Sequence, residues 1–211
     1  MKVWSVIMKV FDQTLRQFIE ASGSKSPVPG GGSVAAVSAA LGASMGAMVA
    51  RLTSGLKYHS VSERMNEIIR QMEAAIQTFE HFAAEDMDSF KAFMDALHLP
   101  KVTDEQRADR TSALQKAAIH AAEIPISLMT ECRDTAQILA ASAELFNKNV
   151  KSDLGVAVIL LEASAQSAWL TAQINFKYIK DLSLRNKLQE QGNGTLKHIQ
   201  KTKEQILNII S

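Results

Sequence analysis

From Val10 onward the apolar positions return every three to four residues almost without a break, and that spacing predicts a chain that is nearly all helix. Phe11, Leu15, Phe18 and Ile19 mark a first helix over about Val10 to Ala21. The stretch from Ser22 to Gly32 is crowded with Ser, Pro and Gly and reads as a loop. A second helix follows from about Ser33 to Leu56, unusually rich in small residues such as Ala36, Ala39, Gly42, Ala43 and Gly46, and a third runs from Ser62 to Leu97. Pro100 stops the third, and Thr103 with Gln106 forms a capping box that opens a fourth reaching Phe146. Pro125 is expected to kink or interrupt this fourth helix, because proline lacks the N–H that the ladder needs. Leu154 to Leu161 alone would suit a buried strand, but the helical period continues past Glu162, so a fifth helix is placed at Asp153 to Ile179. A short helix near Leu182 to Gln189, a turn at Gly192-Asn193-Gly194 and a closing helix from Thr195 complete the reading.

Five or six long helices with two seams of small residues predict an all-α antiparallel helical bundle. No Pro-rich, Ser-rich or like-charged stretch divides the chain, so residues 1–211 are read as a single domain. Several apolar faces are broader than a monomer of this size buries, which points to a homodimer with a cleft between subunits as a natural binding site.

One residue breaks the pattern. Asp86 lies on the midline of the apolar stripe of the third helix, four residues from Phe82 and four from Phe90. A carboxylate facing a core either finds donors or has its pKa pushed upward until it holds a proton near neutral pH. It is then a tuned acid-base group, or a structural carboxylate that caps a neighbouring helix or pairs an arginine. Asp88 is rotated away from the stripe and reads as solvated.

Pro29-Gly30-Gly31-Gly32-Ser33, directly before a helix, is a second signal. Glycines allow close approach of a ligand to the backbone, the first free amides favour an anion, and Ser33 can serve as N-cap. A tight loop needing positive φ is the competing account. No Lys follows where a phosphate loop requires one, so nucleotide binding is excluded.

Composition narrows the classes. The 23 Lys and Arg against 22 Asp and Glu leave a nearly neutral chain, with no electrostatic reason to expect nucleic acid or a membrane surface. The most membrane-like run, Val34 to Ala50, is 17 residues long, includes Ser38 and Ser44, and reads as a buried helix. Cys132 is the single cysteine, which rules out an internal disulfide and fits a reducing compartment. The five histidines show no metal-type pairing, so no metal is expected. Met1 to Val10 carries Lys9 and no small-residue cleavage site, so no secretory signal is read there and the protein is expected in the cytoplasm.

Three blocks together resemble one known family. The segment from Pro27 through Leu52 is similar to the signature of the formiminotetrahydrofolate cyclodeaminase and methenyltetrahydrofolate cyclohydrolase family. Asp86-Met87-Asp88-Ser89-Phe90, followed by Leu99-Pro100-Lys101 and Arg110, resembles its second motif, and Ser152-Asp153-Leu154 with Asn175 resembles its third. The resemblance implies a dimeric all-α bundle acting on a reduced folate that carries a one-carbon unit. It implies catalysis at Asp86, the residue that the helical period singles out independently. Gly30, Gly31, Gly32, Ser33, Lys101, Asp153 and Asn175 are the implied substrate-binding positions.

Each of these has a plainer alternative. Asp153 suits a helix N-cap or first turn, Asn175 a buried backbone group, and Lys101 open water. Animal relatives fuse this bundle to a formiminotransferase domain that nothing in this sequence resembles, so a separate formiminotransferase is the implied supplier of substrate. Three functions remain open at this point: cyclodeaminase, cyclohydrolase, or a non-catalytic helical interaction scaffold.

Overall fold

Thr14 shows how the local signals convert to structure. Its side chain accepts the Gln17 N–H at 3.2 Å while the Gln17 side chain accepts the Thr14 N–H at 2.9 Å, closing a capping box. The computed structural model describes residues 10–211, and this box opens its first α-helix, α1 (Leu15–Ser22). There follow α2 (Gly31–Arg51), α3 (Ser62–Leu97), α4 (Asp104–Ala140), α5 (Lys151–Phe176) and α6 (Leu182–Ile210). Thr103 and Gln106 cap α4 in the same reciprocal way. There is no strand among the described residues. The reading of Met1 to Val10 as no secretory signal falls, Val10 apart, outside them.

The helices α2, α3, α4 and α5 close a ring in which each packs on the next, and α6 lies against α4 and α5. Neighbours in the ring run antiparallel. Gly31 at the start of α2 faces Thr171 near the end of α5, and Gly42 faces Ala157. The small-residue seams let α2 come close enough to its neighbours to bury its alanines: Ala36, Ala39 and Ala43 are wholly inaccessible. A Cβ on Gly42 would stand 3.0 Å from the Ala157 carbonyl, and one on Gly46 3.0 Å from the Met72 sulfur. The window of α2 apolar enough to cross a bilayer is 61% buried inside the bundle. Ile68, Met72, Phe79, Met129, Leu139, Leu154 and Leu161 fill the centre.

Several boundaries differ from the sequence reading. Residues Val10–Asp12 form a separate 3₁₀ turn before α1, α2 begins two residues earlier than Ser33 and ends at Arg51, and α5 runs from Lys151 to Phe176. The helix α4 stops at Ala140 instead of reaching Phe146. In the following connection Asn147 donates from its backbone to the Thr53 hydroxyl and from its side chain to the Leu52 carbonyl, both at 3.0 Å. These long-range bonds outweigh the local helical period. Pro125 does not interrupt α4, which continues through it.

The largest difference concerns Gly192-Asn193-Gly194, read as a turn and found inside a continuous α6. A Cβ on Gly192 would lie 2.0 Å from the Trp169 ring. Gly192 is thus a flat seat for an indole, and that packing overrides its helix cost of about 1 kcal/mol.

Candidate active site

The apolar stripe of α3 runs out where α2 begins. Upstream of Asp86, α3 packs into the core; beyond it α2 is absent, and Phe90 is 36% exposed although the stripe points it inward. Asp86 sits at this edge, over the N-terminus of α2. Its Oδ2 accepts the Ser33 backbone N–H at 2.9 Å and lies 2.9 Å from the Ser33 hydroxyl. The carboxylate therefore caps α2 from outside, taking one of the amides that a helix start leaves unpaired. Both contacts fall on Oδ2, which leaves Oδ1 without a donor among the described residues.

Burial pushes the Asp86 carboxyl above the ordinary value of 3.8, and the two Ser33 hydrogen bonds partly restrain that rise. Ser33 is wholly buried, and its hydroxyl also lies 3.2 Å from the Ala83 carbonyl. One hydroxyl carries one proton. With Asp86 ionised, Ser33 donates to Oδ2; with Asp86 protonated, the acid can donate to Ser33 while Ser33 donates to Ala83. Either charge state of Asp86 keeps a partner, as a group that takes up and releases protons requires.

The glycine loop is used differently from expectation. Gly30 is the N-cap of α2, with extended backbone, and Ser33 occupies the third position of the helix instead of the cap. None of the three glycines has positive φ; among the described residues only Gly55 does. What the loop needs is room. A Cβ on Gly32 would stand 2.1 Å from Asp86 Oδ1 and 2.5 Å from its Cγ, so the backbone approach serves the aspartate itself.

Asn175 reaches the same place from α5. Its amide nitrogen donates to the Ala121 carbonyl at 2.8 Å and to the Thr171 carbonyl at 3.2 Å. Because both partners can only accept, the two amide protons are spent on them and Oδ1 remains as an acceptor.

These groups line one cleft of about 280 Å³. Gly30, Gly31, Gly32, Asp86, Thr171 and Asn175 supply its polar lining, and Phe90, Phe93 and Tyr178 its aromatic lining. The rings of Phe93 and Tyr178 meet at 5.0 Å. Asp86 is the one charged side chain among the lining residues. A second cleft of about 510 Å³ adjoins the first and shares Pro27, Val28 and Phe90 with it.

Two of the sequence-derived positions are not brought here. Lys101 is exposed in the connection between α3 and α4, where its carbonyl accepts from Arg107. Asp153 lies in the first turn of α5, roughly 33 Å along that helix from Asn175. An acid there suits the helix dipole. Ser33 is present at the site but turned toward Asp86. Thr171, Phe93 and Tyr178 are cleft residues that the sequence reading missed; Thr171, one turn before Asn175 on the same face, was the most recoverable of them.

Comparison with known proteins shows the family. Residues 14–194 match the formiminotransferase-cyclodeaminase family. A methenyltetrahydrofolate cyclohydrolase from Methylorubrum extorquens is 34% identical over 88% of this chain and 89% of its own length. The formimidoyltransferase-cyclodeaminase of Gallus gallus is 34% identical over 79% of this chain, which spans 31% of that longer protein. The crystal structure of formiminotetrahydrofolate cyclodeaminase from Thermotoga maritima superposes with a TM-score of 0.86 at 28% identity, covering 95% of this chain and 97% of that one. With the bundle, the glycine loop seated on an α3 aspartate and matches over most of its length, the chain belongs to the formiminotransferase-cyclodeaminase family.

Proposed function

We propose that this chain converts 5-formiminotetrahydrofolate to 5,10-methenyltetrahydrofolate with release of ammonia. The observation that carries the reading is Asp86: a carboxyl with raised pKa, Oδ1 free of donors among the described residues, in a cleft that it shares with an amide acceptor and aromatic rings. In cyclodeamination N10 of the folate attacks the formimino carbon on N5, giving a tetrahedral intermediate. The nucleophile belongs to the substrate, so no covalent catalyst and no cofactor are needed, only alignment and proton transfer. Asp86 takes the proton released from N10 and delivers it to the formimino nitrogen, which leaves as ammonia while the methenyl bridge remains. The proton count closes with the formimino group entering as its amidinium, which already carries the further proton that ammonia needs and passes its positive charge to the methenyl bridge. The aromatic side suits a planar pterin, and the adjoining cleft leaves room for the rest of a folate.

The Methylorubrum relative, matched over nearly its full length, favours a second reading, methenyltetrahydrofolate cyclohydrolase. Here water adds to the methenyl carbon, Asp86 takes a proton from it, and cleavage of the N5–carbon bond with protonation of N5 gives 10-formyltetrahydrofolate. A paired assay decides between them: ammonia release from 5-formiminotetrahydrofolate, and loss of methenyl absorbance when 5,10-methenyltetrahydrofolate is supplied. The first reading predicts ammonia formation with enzyme-dependent rate; turnover of neither folate sinks both. In the first case a separate formiminotransferase supplies the substrate.

Homodimerisation is part of the same proposal. On the adjacent helices α2 and α5, Val34 and Leu41 stand beside Val156, Ile159, Leu170 and Ile174, all between 43% and 64% exposed. Ile174 also lines the cleft, so a second copy seated on this face would border the site. Light scattering should give twice the chain mass, falling to the monomer value in Leu41→Glu; a wild-type monomer at micromolar concentration would refute it.

A further inference from the structure

Pro125 stands in the middle of α4, buried, four residues after Ala121. In an uninterrupted ladder the N–H of residue 125 would donate to the Ala121 carbonyl; proline has none, and that carbonyl is left without its helical donor. The vacancy is filled from α5: the Asn175 amide donates to this same carbonyl at 2.8 Å. Ala121 and Asn175 both line the cleft that holds Asp86.

The consequence for Asn175 is orientation. A carboxamide can present either end to a ligand, and a free one turns to suit. Here the nitrogen is held by two carbonyls, Ala121 and Thr171. Its Oδ1 has no partner among the described residues, yet it is not among the buried polar atoms lacking one, so it is accessible on a side chain that lines the cleft. The side chain is fixed as an acceptor. In either reaction proposed above the attacking group is a donor, and an acceptor aligned on its hydrogen directs the lone pair at the carbon: water has one hydrogen for Asn175 and one for Asp86, whereas the single N10–H is aligned by Asn175 during attack and passes to Asp86 once the bond to carbon has formed.

We propose that Pro125 is a positioning residue for the reaction: by withholding an N–H from the Ala121 carbonyl, it anchors the Asn175 amide with its oxygen toward the nucleophile. The inference rests on the folate reading for its chemistry and on the α4 to α5 hydrogen bond for its geometry. The two parts are tested separately.

Pro125→Ala restores the missing N–H, returns the Ala121 carbonyl to its helix and lets Asn175 turn. The variant should melt at or above the wild-type temperature, because a mid-helix proline has been removed. Its kcat for the folate substrate should nevertheless fall about tenfold with a smaller change in KM. A purely structural proline would show the opposite, lower stability and an unchanged rate per folded molecule. Asn175→Ala should lose at least as much as Pro125→Ala, and adding Pro125→Ala to it should cost nothing more. Full wild-type kcat in Pro125→Ala, or a loss that multiplies with that of Asn175→Ala, overturns the proposal. Should Pro125→Ala not fold, Asn175→Asp decides: it keeps an acceptor but cannot donate to Ala121, so a wild-type rate overturns the idea and a tenfold loss supports it. The geometric half has its own readout in the wild-type protein, the Asn175 side-chain amide signals in NMR. They should be resolved and protected from solvent exchange; rapid exchange there overturns the anchor even if folate turnover is normal, whereas absent turnover with protected signals removes only the functional reading.

Discussion

Asp86→Asn should lose folate turnover by about 10²- to 10⁴-fold, the range for removing a positioned proton-transfer group, while the bundle stays folded. The asparagine oxygen can still accept the Ser33 N–H, so the outside cap on α2 survives and substrate binding changes little. The pH dependence of stability gives a second test. Because the folded carboxyl has a raised pKa, the neutral form is the one the fold prefers. Below about pH 3.8, the unfolded value, Asp86 is protonated in both states and wild type and variant should be equally stable. As pH rises through the higher folded pKa, wild type alone must hold a half-buried charge and loses stability relative to Asp86→Asn. The gap in melting temperature should therefore open with increasing pH and then level off. A retained rate would remove Asp86 from the chemistry; a gap that closes with increasing pH would mean that its folded pKa is depressed.

The second large effect is expected at Gly32. Adding a methyl group puts carbon 2.1 Å from Asp86 Oδ1 and 2.5 Å from Cγ. A carboxylate is the end of a short flexible side chain, so it yields by swinging away, losing both Ser33 hydrogen bonds and its place in the cleft. Those bonds are each worth about 1.5 to 3 kcal/mol where a charge is involved, and the better helix propensity of alanine returns up to about 1 kcal/mol. Gly32→Ala should thus lose about 2 to 5 kcal/mol of stability and melt several degrees or more below wild type, yet lose turnover nearly as completely as Asp86→Asn. Gly31→Ala is the comparison: its Cβ would meet only the Thr171 hydroxyl, at an ordinary 3.5 Å. Its loss should be far smaller. Equal activities in the two variants would show that Gly32 is not there to seat the aspartate.

These two experiments separate the roles that Asp86 combines. Capping a helix and transferring a proton are often treated as rival explanations for a buried carboxylate; here one side chain does the first through Oδ2, and the proposed reaction assigns Oδ1 the second. The cap has a chemical consequence: it fixes the carboxylate and supplies, in the Ser33 hydroxyl, a partner for either charge state. The glycine loop gains its meaning from the same contact, since close approach is required by the aspartate at Gly32 before any ligand arrives.

The sequence alone determined the helical content, the capping box at Thr103, the small-residue seams and the anomaly at Asp86, because each depends on residues within a turn or two of one another. It also carried the family, through three blocks spread over most of the chain. Tertiary structure decided the rest. That Gly192 seats the Trp169 ring instead of making a turn, that Asn147 ends the α4 region by bonding to the end of α2, and that Asp153 and Lys101 stand apart from Asp86 all depend on contacts between distant segments. The same holds for the Ala121 carbonyl. A proline's missing N–H is visible in the sequence, but which side chain answers it is fixed only when α5 is laid against α4. Local periodicity specifies which face of a helix is apolar; the packing of five long helices specifies where that face runs out, and the cleft forms at that edge.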